Sequence, residues 1–185
     1  MRIIGGAARS IPLDVPPGLA VRPTADRARE ALFNSLGAIN GFVVWDLFAG
    51  SGAVGLECAS RGAKLVTFVE LEKNHCDFIQ RNIDRVRHSV PGVATNIVNS
   101  PVSRVRWQGA PPDLIFGDPP YAESLNEFKQ LMNNNDFKIF AANAKLVWEI
   151  PDHPGALGEF LLAAPLQRAV RRFGGVNFLI VNKME

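Results

Sequence analysis

Residues 46–57 read DLFAGSGAVGLE and decide the predicted fold. They contain the pattern G-x-G-x-x-G at Gly50, Gly52 and Gly55, directly after the apolar run 42–48. A helix-like stretch comes after the glycines. Glycine allows the backbone to turn tightly and to approach a ligand closely. The stretch therefore predicts a strand, a tight turn and a helix, with a binding site at the turn.

Two acidic residues make this turn more informative. Asp46 lies four residues before the first glycine, and Glu70 closes the next apolar run, twenty residues after Gly50. A carboxylate at the end of that second strand accepts hydrogen bonds from the ribose hydroxyls of adenosine-containing cofactors. The pattern predicts such a cofactor, and both NAD and S-adenosylmethionine (SAM) fit it. A bare tight turn with a solvated Glu70 is the alternative.

Apolar runs alternate with helix-like stretches along the rest of the chain. The runs cover residues 42–48, 65–70, 95–99, 113–117 and 145–150, and the longest helical stretch covers 73–86. This alternation is typical of buried parallel strands in βαβ units. Two further runs, 167–173 and 176–181, flank Gly174-Gly175 and predict a β-hairpin. The predicted fold is α/β, with a mostly parallel, doubly wound sheet closed at one edge by an antiparallel C-terminal hairpin.

The first 40 residues differ from the rest of the chain. Residues 11–18 are rich in proline and glycine, which predicts an extended or turn-rich segment. Apolar residues at helical spacing occur in 28–36, and Thr24 or Asp26 is a candidate cap for that helix. We expect one domain, with a short N-terminal arm and helix in 1–40 and the cofactor-binding core in 41–185.

The composition is that of a globular protein. Hydrophobic residues make up 47% and charged residues 21% of the 185 residues, and the formal net charge of +2 indicates no polyanion by itself. Arginine outnumbers lysine by 14 to 6, and arginine binds phosphate in a bidentate manner. Two cysteines exclude a disulfide framework, and no apolar run reaches the roughly 18–20 residues of a membrane span. We expect a cytoplasmic protein, and the spacing of the histidines implies no metal.

The tetrapeptide Asp118-Pro119-Pro120-Tyr121 directly follows the fourth apolar run. Its two prolines restrict the backbone and hold the carboxylate and neighbouring carbonyls in place. Acceptors that bind both N–H groups of a nucleobase amino group free its nitrogen lone pair for attack, and a tyrosine ring stacks on the base. The loop therefore predicts chemistry at an exocyclic amino group, with a rigid exposed turn as the alternative.

The sequence resembles the Rossmann-like, SAM-dependent methyltransferases. Within them it is similar to the RsmD-type family, which methylates guanine N2 in bacterial small-subunit ribosomal RNA. The resemblance runs through nearly the whole chain, and its most specific block is RPTADRAREALFN at residues 22–34. The other blocks are residues 2–6, 15–18, 46–57, 60–63, 68–70, 118–121, 147–149 and 172–174. The resemblance implies a seven-stranded Rossmann-like sheet.

The resemblance also implies a reaction and three groups of site residues. The expected reaction moves the methyl group of SAM to the N2 atom of a guanine, by similarity guanine 966 of 16S rRNA, in the small subunit or an assembly intermediate. We expect a monomer. The cofactor-binding residues would be Asp46, Phe48, Gly50, Gly52, Glu70, Leu71 and Ser100. The target base would meet Asp118, Pro119, Pro120 and Tyr121, and the RNA would meet Arg22, Thr24, Arg27, Arg29 and Asn34.

Three positions depart from the family. Ser100 lies where the family tends to carry an acid near the adenine, and it retains one hydrogen-bonding group. The early basic stretch is reduced to the residues 7–10, AARS, and Gly117 stands where a larger residue is expected.

A basic cluster at 81–106 predicts either a solvated helix face or phosphate contacts.

Three other functions remain open from the sequence. An adenine-N6 DNA methyltransferase needs the same amino-group chemistry, although a sequence-specific DNA enzyme generally carries further base-reading elements. An NAD-dependent oxidoreductase leaves the loop 118–121 without a role. A non-catalytic RNA-binding module leaves Glu70 without one.

Overall fold

The computed structural model describes residues 1–18, 23–165 and 167–182. In this part of the chain, seven strands form one sheet in the order β3-β2-β1-β4-β5-β7-β6. The strands are β1 (Val43–Leu47), β2 (Leu65–Glu70), β3 (Ala94–Asn99), β4 (Leu114–Gly117), β5 (Lys145–Ile150), β6 (Arg168–Phe173) and β7 (Val176–Val181). The helices are α1 (Pro23–Leu36), α2 (Ala53–Ser60), α3 (Lys73–Val86), α4 (Ser124–Asn133), α5 (Asn135–Phe140) and α6 (Ala156–Ala163). Two 3-10 turns lie at Arg87–Ser89 and Val102–Arg104.

The strand pairing confirms the predicted fold class. β1 pairs in parallel with β2 and β4, β2 with β3, and β4 with β5. β7 pairs antiparallel with both β5 and β6. Gly174 and Gly175 connect β6 to β7 with φ angles of 53° and 86°, the positive values that a tight hairpin turn requires. The sheet is Rossmann-like, and the predicted hairpin forms its far edge.

β3 departs from the prediction of a buried strand. Ala94, Thr95 and Asn96 are exposed, whereas every residue of β1 is buried. β3 is the edge strand, and its crossover to β4, which the structure describes in full, contains a 3-10 turn in place of a helix. Burial of a parallel strand on both faces needs helices on both sides, so this edge stays accessible.

Among the residues that the structure describes, buried side chains form two apolar clusters. One contains Leu56 and Phe68 with residues of the arm and of α1, α2 and α3, and the other contains Trp45, Phe128 and Trp148. Fully burying one such side chain contributes roughly 1.5–3 kcal/mol. The clusters pack on the parallel strands β1–β5, whose carboxyl ends lie along one edge because the strands run in the same direction.

The N-terminal arm is fixed to α2 by a buried carboxylate. Glu57 is fully buried and accepts hydrogen bonds from the backbone N–H groups of Ile4 at 2.7 Å and Gly5 at 2.8 Å. The Nε atom of Arg61 donates to the same carboxylate at 2.7 Å. Because a buried carboxylate needs compensating donors, these contacts determine where the arm lies.

A second polar residue joins the arm to α3. Asn82 is fully buried; its side chain accepts from the backbone N–H of Asp14 and donates to the carbonyls of Asp14 and Ser51. Arg85 forms two hydrogen bonds of 2.9 Å with the Asp14 carboxylate. The turn-rich segment predicted from its prolines is thus also part of the packed structure.

The prediction that Thr24 or Asp26 caps the first helix is wrong. α1 begins at Pro23, so both residues lie inside its first turn. Proline suits the first helical position because it lacks an N–H group that would stay unpaired there. Asp26 instead accepts a hydrogen bond from Arg29 at 3.0 Å.

We predict that Glu57→Ala releases the arm. The substitution leaves two backbone N–H groups and Arg61 without their acceptor, and we expect the free energy of unfolding to fall by about 2–4 kcal/mol. Urea denaturation measures this change, and hydrogen exchange of residues 1–8 measures the loss of protection. Glu159→Ala, at an exposed position of α6, is the matched control. Unchanged exchange of residues 1–8 would contradict the assignment.

Candidate active site at the carboxyl edge of the sheet

The turn after β1 carries unusual backbone conformations. Phe48 has a φ of 61°, and Gly50 and Gly52 have φ angles of 57° and 75°. A left-handed conformation costs a residue other than glycine about 1–2 kcal/mol. The Phe48 ring packs edge-on against Trp148 with the ring centroids 5.8 Å apart, which helps to offset that cost. Strain of this kind clusters at functional sites, and here it occurs in the predicted cofactor turn.

Asp46 lies beneath this turn. Its side chain is buried, and its Oδ2 atom accepts a hydrogen bond from the backbone N–H of Gly55 at 2.8 Å. Burial, with a smaller contribution from the nearby Glu70 carboxylate, raises the pKa of Asp46 from 3.8 to about 7, although the Gly55 N–H group and Arg29 act to lower it. The carboxylate therefore fixes the start of α2 and changes charge near neutral pH.

Glu70 connects two turns at the ends of β1 and β2. Its Oε2 atom accepts from the backbone N–H of Gly50 at 2.7 Å, and its Oε1 atom accepts from the backbone N–H of Glu72 at 2.9 Å. Leu71, which lies between Glu70 and Glu72 in the chain, is 59% exposed. The predicted cofactor residues Gly50, Glu70 and Leu71 are thus adjacent in the structure, and Glu70 has a structural role beside its predicted one.

The end of β3 shows a residue that the sequence analysis missed. The Asn99 side chain donates to the backbone carbonyls of Glu70 at 2.9 Å and Leu71 at 2.7 Å. The Ser100 N–H donates to the same Glu70 carbonyl, whereas its hydroxyl donates to the carbonyl of Pro101. Asn99 therefore fixes the turn after β2, next to Ser100, which was predicted to bind the cofactor near the adenine. Its position at the end of a strand beside a predicted ligand residue was the available signal.

Trp148 supports the loop that follows β4. Its indole Nε1 donates to the hydroxyl of Ser124 at 3.0 Å, and both side chains are fully buried. Ser124 begins α4, three residues after Tyr121, and its hydroxyl lies 3.5 Å from the carbonyl of Glu149. The Glu123 N–H donates to the Pro120 carbonyl at 2.9 Å. These bonds fix the Asp-Pro-Pro-Tyr loop against the end of β5.

The indole ring also explains the glycine that departs from the family. A Cβ atom at Gly117 would lie 2.2 Å from Cε3 of Trp148. Gly117 and Trp148 are register partners in β4 and β5, so the ring covers the backbone immediately before Asp118. The larger residue expected at position 117 would not fit beside this tryptophan.

Tyr121 has a partner that the sequence analysis did not assign to the site. Its hydroxyl donates to Oε1 of Glu149 at 2.9 Å. Tyr121 is 45% exposed, so its ring remains accessible for stacking. Glu149 lies near the end of β5, and only the sheet register brings it to the loop.

The residues predicted to face RNA do not share one environment. Arg27 and Asn34 are exposed on α1. Arg22, and the side chain of Thr24, lie outside the described residues. Arg29 is 7% exposed, and its guanidinium donates to the Arg2 carbonyl and the Asp26 carboxylate. Its burial differs from the exposure expected of an RNA contact, because the group is used inside the protein to fix the arm on α1.

Two further observations concern other functional classes. Within the described residues, no three or more His, Cys, Asp and Glu side chains are grouped so that they could bind a metal ion. In the same part of the chain, none of the helices has the length and apolar character needed to span a membrane.

The fold and the site together define a class of protein. Three features lie at the carboxyl edge of the sheet: a glycine turn after β1, an acid at the end of β2 and an Asp-Pro-Pro-Tyr loop after β4. The sheet itself ends in an antiparallel hairpin. This is a Rossmann-like methyltransferase fold. The family described as conserved hypothetical protein 95 matches residues 1–171, and the chain belongs to this RsmD-type family of methyltransferases.

Individual relatives agree with this assignment. The chain is 38% identical over 128 residues to the ribosomal RNA small subunit methyltransferase D of Escherichia coli, which covers 69% of this chain and 63% of the relative. The matched region thus spans less than two thirds of that relative. The ribosomal RNA small subunit methyltransferase D of Haemophilus influenzae is 36% identical over 147 residues, and the match covers 75% of this chain and 74% of the relative. The solved structure of the putative methyltransferase yhhF from Escherichia coli is 31% identical with a TM-score of 0.74, covering 99% of this chain and 97% of that one.

We predict that Asp46→Asn changes how stability depends on pH. Between pH 3.8 and about 7, the Asp46 carboxyl group is protonated in the folded wild type and ionised in the unfolded chain. The free energy of unfolding of the wild type therefore falls as the pH rises through this window. The asparagine amide oxygen still accepts from the Gly55 N–H and does not titrate. Chemical denaturation from pH 4 to 8 should therefore show the variant gaining stability relative to the wild type. A difference that stays constant with pH would contradict the raised pKa.

We also predict that Gly117→Ala disturbs the loop through Trp148. The methyl group overlaps a rigid buried ring, which should lower the free energy of unfolding by about 1–3 kcal/mol. In a Trp148→Leu background the same substitution should cost less, and thermal unfolding of the four proteins measures the coupling. Gly158→Ala is the matched control, because a Cβ atom there meets nothing within 4 Å. Equal costs in both backgrounds would show that the ring is not the obstacle.

Proposed function

We propose that the protein transfers a methyl group from SAM to the N2 amino group of a guanine in 16S rRNA of the small ribosomal subunit. The observation that carries the proposal is the Asp-Pro-Pro-Tyr loop, fixed by β5 at the edge that also bears the glycine turn and Glu70. The family resemblance implies that the target would be guanine 966.

The residues at this edge fit the cofactor. The glycine turn has positive φ angles at Gly50 and Gly52, with Gly50 half-buried and Gly52 packed against Ile79 and Phe68. Glu70 would bind the ribose hydroxyls, and Asp46 would bind the cationic amino group, which favours its charged form. When bound, SAM supplies an electrophilic methyl group, whose bond to sulfur breaks as the bond to nitrogen forms. Leu71 would cover the adenine from its exposed position, and Ser100 would offer one hydrogen bond.

The loop after β4 would prepare the nucleophile. The Asp118 carboxylate and the Pro119 carbonyl would accept hydrogen bonds from the guanine amino group, which favours a nitrogen with its lone pair free to attack. Pro119 and Pro120 keep these acceptors fixed, and Tyr121 would stack on the base. Transfer releases one proton from N2, and Asp118 is the carboxylate of this loop that can accept it. Much of the rate would come from holding donor and acceptor in line.

The substrate class rests on the relatives and on α1. The relatives from Escherichia coli and Haemophilus influenzae are named as ribosomal RNA small subunit methyltransferases. Arg27 and Asn34 offer exposed polar groups on α1 for contacts with RNA. The described chain is one compact sheet with a packed arm, so a preformed ribonucleoprotein would supply much of the shape that the enzyme recognises.

We predict that Asp118→Ala abolishes transfer. Wild type and variant are incubated with labelled SAM and with unmethylated small subunits, their stripped RNA or duplex DNA, and the product nucleosides are identified. We expect N2-methylguanosine from the wild type and a loss of at least roughly 100-fold in the variant, as for removal of one group that stabilises a transition state. Asp84→Ala, at an exposed position of α3, should retain activity.

Two other outcomes of this experiment would contradict the proposal. Label on adenine in DNA would replace the proposal with an adenine-N6 methyltransferase. SAM binding without label on any substrate, measured by calorimetry alongside, would reject transfer to nucleic acid.

A further inference from the structure

Glu149 lies beside the loop that would hold the target base. β4 and β5 are parallel neighbours, and Gly117 and Trp148 are partners in their register. Asp118 is the first residue after β4, and Glu149 follows Trp148 within β5, so each acid lies one residue beyond this register pair at the carboxyl edge. Adjacent strands are about 4.8 Å apart. The register thus brings two carboxylate-bearing positions to neighbouring segments of the edge where the base would enter.

The side chain of Glu149 is directed to the same loop. Its Oε1 atom accepts a hydrogen bond from the Tyr121 hydroxyl at 2.9 Å, and the Glu149 carbonyl lies 3.5 Å from the hydroxyl of Ser124 at the start of α4. The backbone of Glu149 therefore supports the loop, and its carboxylate meets the ring predicted to stack on the base. A carboxylate has about four acceptor positions, so a bond from Tyr121 is compatible with a bond from a second donor.

Guanine carries a second donor beside its N2 amino group, the N1–H group. Adenine has an unprotonated acceptor at its N1, so a carboxylate that faces this atom attracts guanine and repels adenine. A site that hydrogen-bonds one substrate rejects an analogue that leaves its polar group unpaired. With Asp118 at the amino group, the next acid along the edge is Glu149.

We infer that Glu149 determines base specificity by accepting the N1–H group of the target guanine while it orients Tyr121. This inference rests on the proposed guanine-N2 activity and names the residue that restricts that activity to guanine. Through the bond from the Tyr121 hydroxyl, Glu149 also holds the ring that would stack on the base.

The probe is a small subunit reconstituted with 2-aminopurine in place of the target guanine. This base keeps the amino group at C2 but has no hydrogen at N1. We expect the wild type to prefer guanine over 2-aminopurine by roughly 10- to 100-fold in kcat/KM, the range of one hydrogen bond to a charged group. Glu149→Gln should reduce that preference by at least 10-fold, because the amide can also donate to an unprotonated N1.

The matched variant is Tyr121→Phe. It keeps the carboxylate and removes the Tyr121 hydroxyl, so kcat should fall for both bases while the preference for guanine changes little. If Glu149 had a purely structural role, Glu149→Gln would instead lower the activity on guanine and the activity on 2-aminopurine equally. Thermal unfolding of both variants confirms that they are folded.

The outcomes separate this inference from the proposed function. A wild type that forms no N2-methylguanosine on the guanine-containing subunit defeats the proposed function itself. A wild type that methylates guanine and 2-aminopurine equally well overturns the role of Glu149 without any variant. A Glu149→Gln protein that keeps the full preference, or loses both activities in parallel, also overturns it.

Discussion

The packing of Trp148 on β5 is the constraint on which the candidate site depends. Its ring lies so close to the backbone of Gly117 that only glycine fits there, and it also contacts the strained Phe48 in the turn after β1. Its indole N–H fixes Ser124 after the Asp-Pro-Pro-Tyr loop. One buried side chain therefore supports both loops that a methyl donor and its acceptor would occupy, and it couples their positions, because protein interiors are close-packed.

Buried carboxylates fix the backbone around the glycine turn and the N-terminal arm. Asp46 fixes the start of α2, Glu57 fixes the N-terminal arm, and Glu70 joins the glycine turn to the end of β2, each through backbone N–H groups. Such groups are costly to bury unless they are paired. The two acids predicted to bind the cofactor are thus already part of the folded structure, where each accepts a hydrogen bond from the backbone of the glycine turn or of α2.

Local patterns predicted most of the fold. The alternating apolar runs and Gly174-Gly175 indicated the parallel strands and the hairpin, and the pairing confirms both. The start of α1 and the burial of β3 were predicted wrongly. Proline at position 23 begins the helix before either candidate cap, and exposure of β3 depends on its place at the edge of the sheet, which no local pattern contains.

The sequence alone determined the fold class, the family and the residues of the two loops, because these depend on glycine, proline and acidic residues at fixed spacings along the chain. Only the tertiary structure decided which distant residues meet. The register of β4 and β5 brings Glu149 to Tyr121 and Trp148 over Gly117. The burial of Arg29 depends on where the arm crosses α1. These contacts join residues far apart in the chain, and sheet register and side-chain packing form only when the whole core assembles.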